Sequence, residues 1–120
     1  MLSENIEDGR IVFFLSGKNS TGNRNSFFGF SEGELISTGH ENTFVGTQAG
    51  RNNTTGTGNT AIGYLAQEST TGLVNSTAIG NRAYVRASNS MVLGSINGEN
   101  GATVTVKVGI GTATPGTIYT

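Results

Sequence analysis

The run GTGNTAIG at 56–63 places Gly56, Gly58 and Gly63 close together around the apolar pair Ala61–Ile62. Glycine-rich runs do chemistry when their backbone N–H groups close on a phosphate at the start of a helix. Here the spacing is G-x-G-x-x-x-x-G, which departs from the dinucleotide fingerprint, and no helix-forming run follows. GKN at 17–19 lacks the hydroxyl residue and the upstream glycine of a phosphate loop. His40 is the single histidine and lies beside Glu41, half of a metal site at most. With no cysteine to join them, a solvent-facing turn is the better reading of that pair, unless symmetry gathers copies of one residue about an axis. The acids are Glu4, Glu7, Asp8, Glu32, Glu34, Glu41, Glu68 and Glu99, and none stands at a spacing that suggests a Ser/His/Asp triad. Glu32 and Glu34 read as residues that keep a loop wet. The expectation is a protein that is not an enzyme, with no cofactor and no metal.

What surrounds these residues explains their spacing. Gly, Asn, Thr and Ser number 19, 13, 17 and 11 of 120 residues, and apolar residues are 34%. An ordinary domain carries about 45–50% apolar residues, so a thick core is excluded. Charged residues are 12% and the net charge is −1, which argues against a disordered acidic chain and against a basic nucleic-acid surface. Zero cysteines remove disulfides and thiolate sites. The strongest apolar run, IVFFL at 11–15, is far short of a membrane span of ~20 residues, so this segment is not expected to insert in a membrane. It follows Glu4, Glu7 and Asp8, the wrong flank for a secretion signal.

Two columns recur along the chain. One is a small-Thr-Gly triplet at 20–22, 37–39, 54–56 and 70–72. The other is an apolar pair followed by glycine: Phe27–Phe28–Gly29, Phe44–Val45–Gly46, Ala61–Ile62–Gly63, Ala78–Ile79–Gly80 and Val92–Leu93–Gly94. The glycines step by 17, 17, 17 and 14 residues, and the last step omits the triplet. The 70–72 triplet comes one residue early, which reads as an extra residue inserted near Asn75. Seventeen residues are too few for a helical hairpin and fit two short strands with two turns. One strand is expected on the apolar pair and the other near the triplet, with GRNN at 50–53 and GTGN at 56–59 as turns. Coils of this size stack through parallel pairing at about 4.8 Å.

Adjacent strand residues face opposite ways, so each apolar pair needs two places to hide. Phe28, Val45, Ile62, Ile79 and Leu93 form one expected column, and Phe27, Phe44, Ala61, Ala78 and Val92 the second. One fills the narrow interior; the other faces outward and wants a partner, which points to an oligomer. The glycines mark bends or close backbone approach. Thr21, Thr38, Thr55 and Thr71 form a threonine rank that admits an ice-binding alternative, although only Thr55–Thr57 makes a Thr-x-Thr pair. Asn-x-Ser/Thr at Asn19, Asn52, Asn53 and Asn75 reads as ladder residues rather than sugar acceptors.

The elements NSFFG at 25–29, NTFVG at 42–46, NTAIG at 59–63, NSTAIG at 75–80 and NSMVLG at 89–94 resemble the YadA-like head repeats of trimeric autotransporter adhesins. The 17-residue variant also resembles repeats of bacterial and phage fibres, and VGIGTATPG at 108–116 is similar to segments that lead from such heads to a stalk or fibre tip. The resemblance implies an all-β, left-handed parallel β-roll (a β-solenoid) assembled as a homotrimer. It divides the chain into a lead-in or degenerate first coil at 1–24, head repeats at 25–97 and a connector at 98–120. In the lead-in, Val12 stands where the column glycine would be. It further implies an extracellular adhesive module on a bacterial surface fibre, binding a host cell, a matrix protein or a glycan. The alternative is receptor recognition by a phage or injection-system tail fibre.

Overall fold

A computed structural model describes residues 21–116. Readings that fall on 1–20, including IVFFL, GKN, Asn19 and most of the lead-in, lie outside the described residues. The described chain is all-β with parallel strands, wound as a β-solenoid of about four turns. Its main sheet takes one strand from each coil: β1 (Ser26–Phe28), β2 (Thr43–Val45), β3 (Thr60–Ile62), β5 (Thr77–Ile79) and β7 (Met91–Leu93), in the order β1-β2-β3-β5-β7. The register is unbroken. Phe27 pairs with Phe44, Phe44 with Ala61, Ala61 with Ala78, and Ala78 with Val92. These short strands are held less by propensity than by the identical coil above and below, as in other stacked repeats.

The second strand is where the sequence reading needs correction. Among the described residues it occurs in two coils, as β4 (Gln67–Glu68), just ahead of the 70–72 triplet, pairing with β6 (Tyr84–Val85), and the triplets themselves lie outside it. Interior volume explains the choice. Phe27 and Phe44 stack inside the first two coils, with ring centroids 5.3 Å apart and planes within 15°. Gly33 and Gly50 lie against those rings, and a Cβ on Gly50 would meet Phe44 at 2.4 Å. In the next two coils the interior residue is Ala61 or Ala78, and the position equivalent to Gly33 and Gly50 holds Gln67 or Tyr84. A ring plus a glycine is thus exchanged for an alanine plus a longer side chain, and only the latter coils have an extended second side.

The triplets instead build a corner. Ser37, Thr38 and Gly39 each donate a backbone N–H to Thr54 O, at 2.8, 3.2 and 3.3 Å. One coil on, Thr54, Thr55 and Gly56 do the same to Thr71 O, at 3.0, 2.8 and 3.1 Å. Thr54 therefore matches Thr71, and Thr57 bridges to Val74, so the backbone keeps its 17-residue step here. No residue is inserted near Asn75; the triplet has slipped by one within an unchanged frame, and Leu73 takes the place of Gly56. The threonine rank changes accordingly, because Thr55 is followed by Gly72 rather than Thr71.

Two further corners use left-handed backbone at fixed levels whatever the residue. Arg24, Glu41, Gly58, Asn75 and Asn89 have φ of 58°, 59°, 69°, 54° and 56°. Ser31, Gln48, Leu65 and Arg82 have φ of 58°, 59°, 54° and 56°. Each non-glycine residue in this region costs on the order of 1–2 kcal/mol. The cost is offset by coil-to-coil hydrogen bonds at the same positions, such as Leu65 N to Thr47 O at 3.0 Å and Arg82 N to Tyr64 O at 2.8 Å.

Candidate functional site

The two apolar columns separate cleanly. Phe44, Ala61 and Ala78 are fully buried and form the core with Ala49, Ala66, Ala83, Ile36 and Val85, against which Phe27 and Val92 pack. The other column faces outward. Phe28, Ile62 and Leu93 are 47%, 37% and 44% exposed, and Val45 and Ile79 are half-buried. On the same face, two residues earlier in each strand, run Ser26, Thr43, Thr60, Thr77 and Met91. Phe30 and Tyr64, at 43% and 44% exposure, lie just past the glycine column. The outcome is a continuous apolar stripe along one side of the stack.

Gly29, Gly46, Gly63, Gly80 and Gly94 all have positive φ, from 83° to 138°. Gly46, Gly63 and Gly80 also stack directly on the next glycine, with no room for a side chain between coils.

An asparagine ladder, expected at Asn53 and Asn75 and extending to Asn42 and Asn59 of the repeated motif, ties the coils together. Asn42 is fully buried. Its Nδ2 donates to Asn25 Oδ1 at 3.1 Å and to Gly56 O at 2.8 Å. Its Oδ1 accepts from Asn59 N at 2.9 Å and Asn53 Nδ2 at 3.3 Å. Asn59 repeats the pattern, donating to Leu73 O at 2.6 Å and accepting from Ser76 N and Oγ at 2.9 and 2.8 Å. Each side chain thus satisfies buried backbone groups on two levels.

The hydroxyls are used in the same way. Thr21 Oγ1, Ser37 Oγ, Thr54 Oγ1 and Thr55 Oγ1 donate to carbonyls of the next coil at 2.9 to 3.4 Å. Among the sugar-acceptor-like positions, Asn53 accepts from Gly56 N at 2.7 Å and Asn75 Nδ2 donates to Asn89 Oδ1 at 3.0 Å.

His40 is exposed at a corner, where its Nδ1 accepts from Asn23 N at 3.1 Å. It borders a shallow depression with Asn23, Arg24, Glu41 and Thr57. Glu41 is taken up by Arg24 at 2.5 Å. Among the described residues no three His, Cys, Asp or Glu side chains converge as metal ligands.

The acids depart from expectation. Glu34 is half-buried and faces Arg51 at 3.5 Å, but Glu32 is fully buried rather than wetting a loop. The reason is register: Glu32 stands at the head of the buried column Ala49, Ala66 and Ala83, and its carboxyl tucks against Gly29. Glu68, level with Val85, is also fully buried, and neither carboxylate oxygen has a hydrogen-bond partner. Burial therefore pushes its pKa up from 4.5 to about 7.

The sign follows from proton counting. Between about pH 4.5 and pH 7 the folded chain holds a proton that the unfolded chain has released, so stability falls as pH rises. The loss is on the order of 3 kcal/mol and is complete above the folded pKa. Urea unfolding across this range should show the wild type weakening, and Glu68→Gln should remove most of the slope. An unchanged slope in the variant would show that another group is responsible.

No family model matches the chain, and comparison with curated proteins and with solved structures gives no match.

Proposed function

We propose that this chain is a non-catalytic, structural and adhesive module of a trimeric extracellular fibre, a left-handed roll related to YadA-like heads. One observation carries the reading: the outward stripe of Phe28, Val45, Ile62, Ile79 and Leu93, which runs in one register from β1 to β7. A repeated apolar column left half-exposed by its own chain is suited to burial against identical columns of parallel copies. Packing three stacks on this stripe would add a second core to coils whose own interior is mostly alanine. The stiff bundle would present three equal outer faces, so weak contacts to a host surface, matrix protein or glycan act together. The same construction would serve a phage or injection-system fibre, and the motif VGIGTATPG at 108–116 suits a lead to a stalk or to a fibre tip alike.

Ile62→Asp tests the assembly without removing an interior side chain. It should give a chain with wild-type circular dichroism that sediments as a monomer and is no longer retained on a decellularised matrix coat. Retention of the assembled mass by the variant would contradict the assignment of this face. An assembled wild type that passes over matrix and whole cells unretained would contradict the adhesive role.

A further inference from the structure

We propose that the corner formed by Thr71, Gly72 and Leu73 is an oxyanion-binding site. The inference starts from the repeat itself. At the two preceding corners, three consecutive backbone N–H groups converge on one oxygen, Thr54 O in one case and Thr71 O in the next. Side chains add to the grip, since Ser37 Oγ reaches Thr54 O at 3.2 Å and Thr54 Oγ1 reaches Thr71 O at 3.4 Å. Thr71, Gly72 and Leu73 are the residues at the same level of the next coil.

Their backbone is held from below as at the other corners. Leu73 O accepts Asn59 Nδ2 at 2.6 Å, as Gly56 O accepts Asn42 Nδ2 and Gly39 O accepts Asn25 Nδ2, both at 2.8 Å. What differs lies above. The last coil is 14 residues long and omits the triplet. Its chain passes from Val85, whose carbonyl takes Ser69 N at 2.8 Å, to Ser88, whose hydroxyl takes Val74 N at 3.0 Å. Arg86 and Ala87 cut across between them. Among the described residues no backbone oxygen of the coil above bonds to the N–H groups of Thr71, Gly72 and Leu73, and Thr71–Gly72 form a turn that brings the Leu73 N–H back towards Thr70.

The shortened coil therefore uncovers N–H groups at the level where the two preceding corners hold a carbonyl oxygen of the next coil. Thr70, Thr71 and Gly72 are exposed, so a ligand can enter from solvent. These N–H groups, with the Thr71 hydroxyl as a further donor, suit a single oxygen, and a charged oxygen gains more from them than a carbonyl does. The ligand class is an oxyanion: one oxygen of a carboxylate or of a sulfate or phosphate group. This inference is independent of the trimer and of the adhesive reading.

The test uses the full chain labelled with nitrogen-15, titrated separately with sodium sulfate and sodium acetate at ionic strength held constant with chloride. The amide protons of Thr71, Gly72 and Leu73 should move downfield and saturate, while those of Thr54, Thr55 and Gly56, already occupied, stay in place. Saturation with acetate alone assigns a carboxylate ligand, and saturation with sulfate alone assigns a tetrahedral oxyanion. Gly72→Pro deletes the central donor and should weaken binding at least tenfold. An inserted Ser-Thr-Gly after Ala87 restores the 17-residue step and should abolish binding by supplying the missing carbonyl. Shifts that are absent, or spread evenly over exposed amides with both salts, would overturn the proposal. So would undiminished binding in the insertion variant.

Discussion

Replacing Asn42 with leucine is expected to cost about 5 kcal/mol, although the two side chains are nearly the same size. The change leaves Asn59 N–H, Asn53 Nδ2 and Gly56 O without the partner each has in the folded chain. All three residues are buried, and each orphaned group costs about 1–3 kcal/mol. Leucine gains apolar burial, but it cannot return hydrogen bonds to backbone on two neighbouring levels. The midpoint of thermal unfolding should fall by more than about 15 °C. Asn42→Ser is the informative companion. Serine already fills the equivalent place at Ser76, fully buried and bonded to Asn59 Oδ1 through both its N–H and its hydroxyl. The serine variant should therefore lose less than half as much. Equal stability of the leucine variant and the wild type would show that the ladder only accompanies folding.

Gly63→Ala should be nearly as damaging, at about 3–4 kcal/mol. A Cβ there would sit 2.6 Å from Gly80 O and 2.7 Å from Gly80 C, with φ at +128°. Both obstacles are backbone of the next coil, so no rotamer change relieves them. Gly58→Asn is the contrast within the same coil. Gly58 has φ of +69°, and the nearest atom to its Cβ position is Asn75 N at 3.9 Å. Its neighbours at that level, Glu41 and Asn75, already adopt this conformation with side chains. That variant should lie within about 1 kcal/mol of wild type in denaturant titration. If both glycine variants behaved alike, coil-to-coil contact would not be what sets the glycine column.

Contrasting these two columns shows what is legible in the sequence. The 17-residue step, the parallel stacking and the two faces of each apolar pair follow from Phe44–Val45–Gly46 recurring as Ala61–Ile62–Gly63. The step and the stacking follow from the repetition of the unit, and the two faces from strand alternation. The left-handed corners at Leu65 and Arg82 are not legible, because neither residue prefers that conformation; neighbouring coils impose it. Slippage of the 70–72 triplet misleads for the same reason. Hydrogen bonds from Thr54, Thr55 and Gly56 to Thr71 O hold the frame, and the side chains ride on it. Glu32 and Glu68 look like surface acids because charge is normally solvated, and only register places them inside. The missing second strand in the first two coils depends on packing the Phe27 and Phe44 rings against glycine, which pattern alone does not weigh.

Small interior, continuous ladder and outward stripe fit together physically. Most interior positions in the core columns are alanine, so hydrophobic burial within one chain is modest. Hydrogen bonds fix the pitch, and in the proposed assembly the half-exposed column would offer the remaining apolar surface to neighbouring copies. Subunit mass is accordingly the central quantity. Sedimentation equilibrium of the full chain at tens of micromolar should return a single species of three 12.4 kDa chains, about 37 kDa in all. A single species at 12.4 kDa under the same conditions would contradict the account.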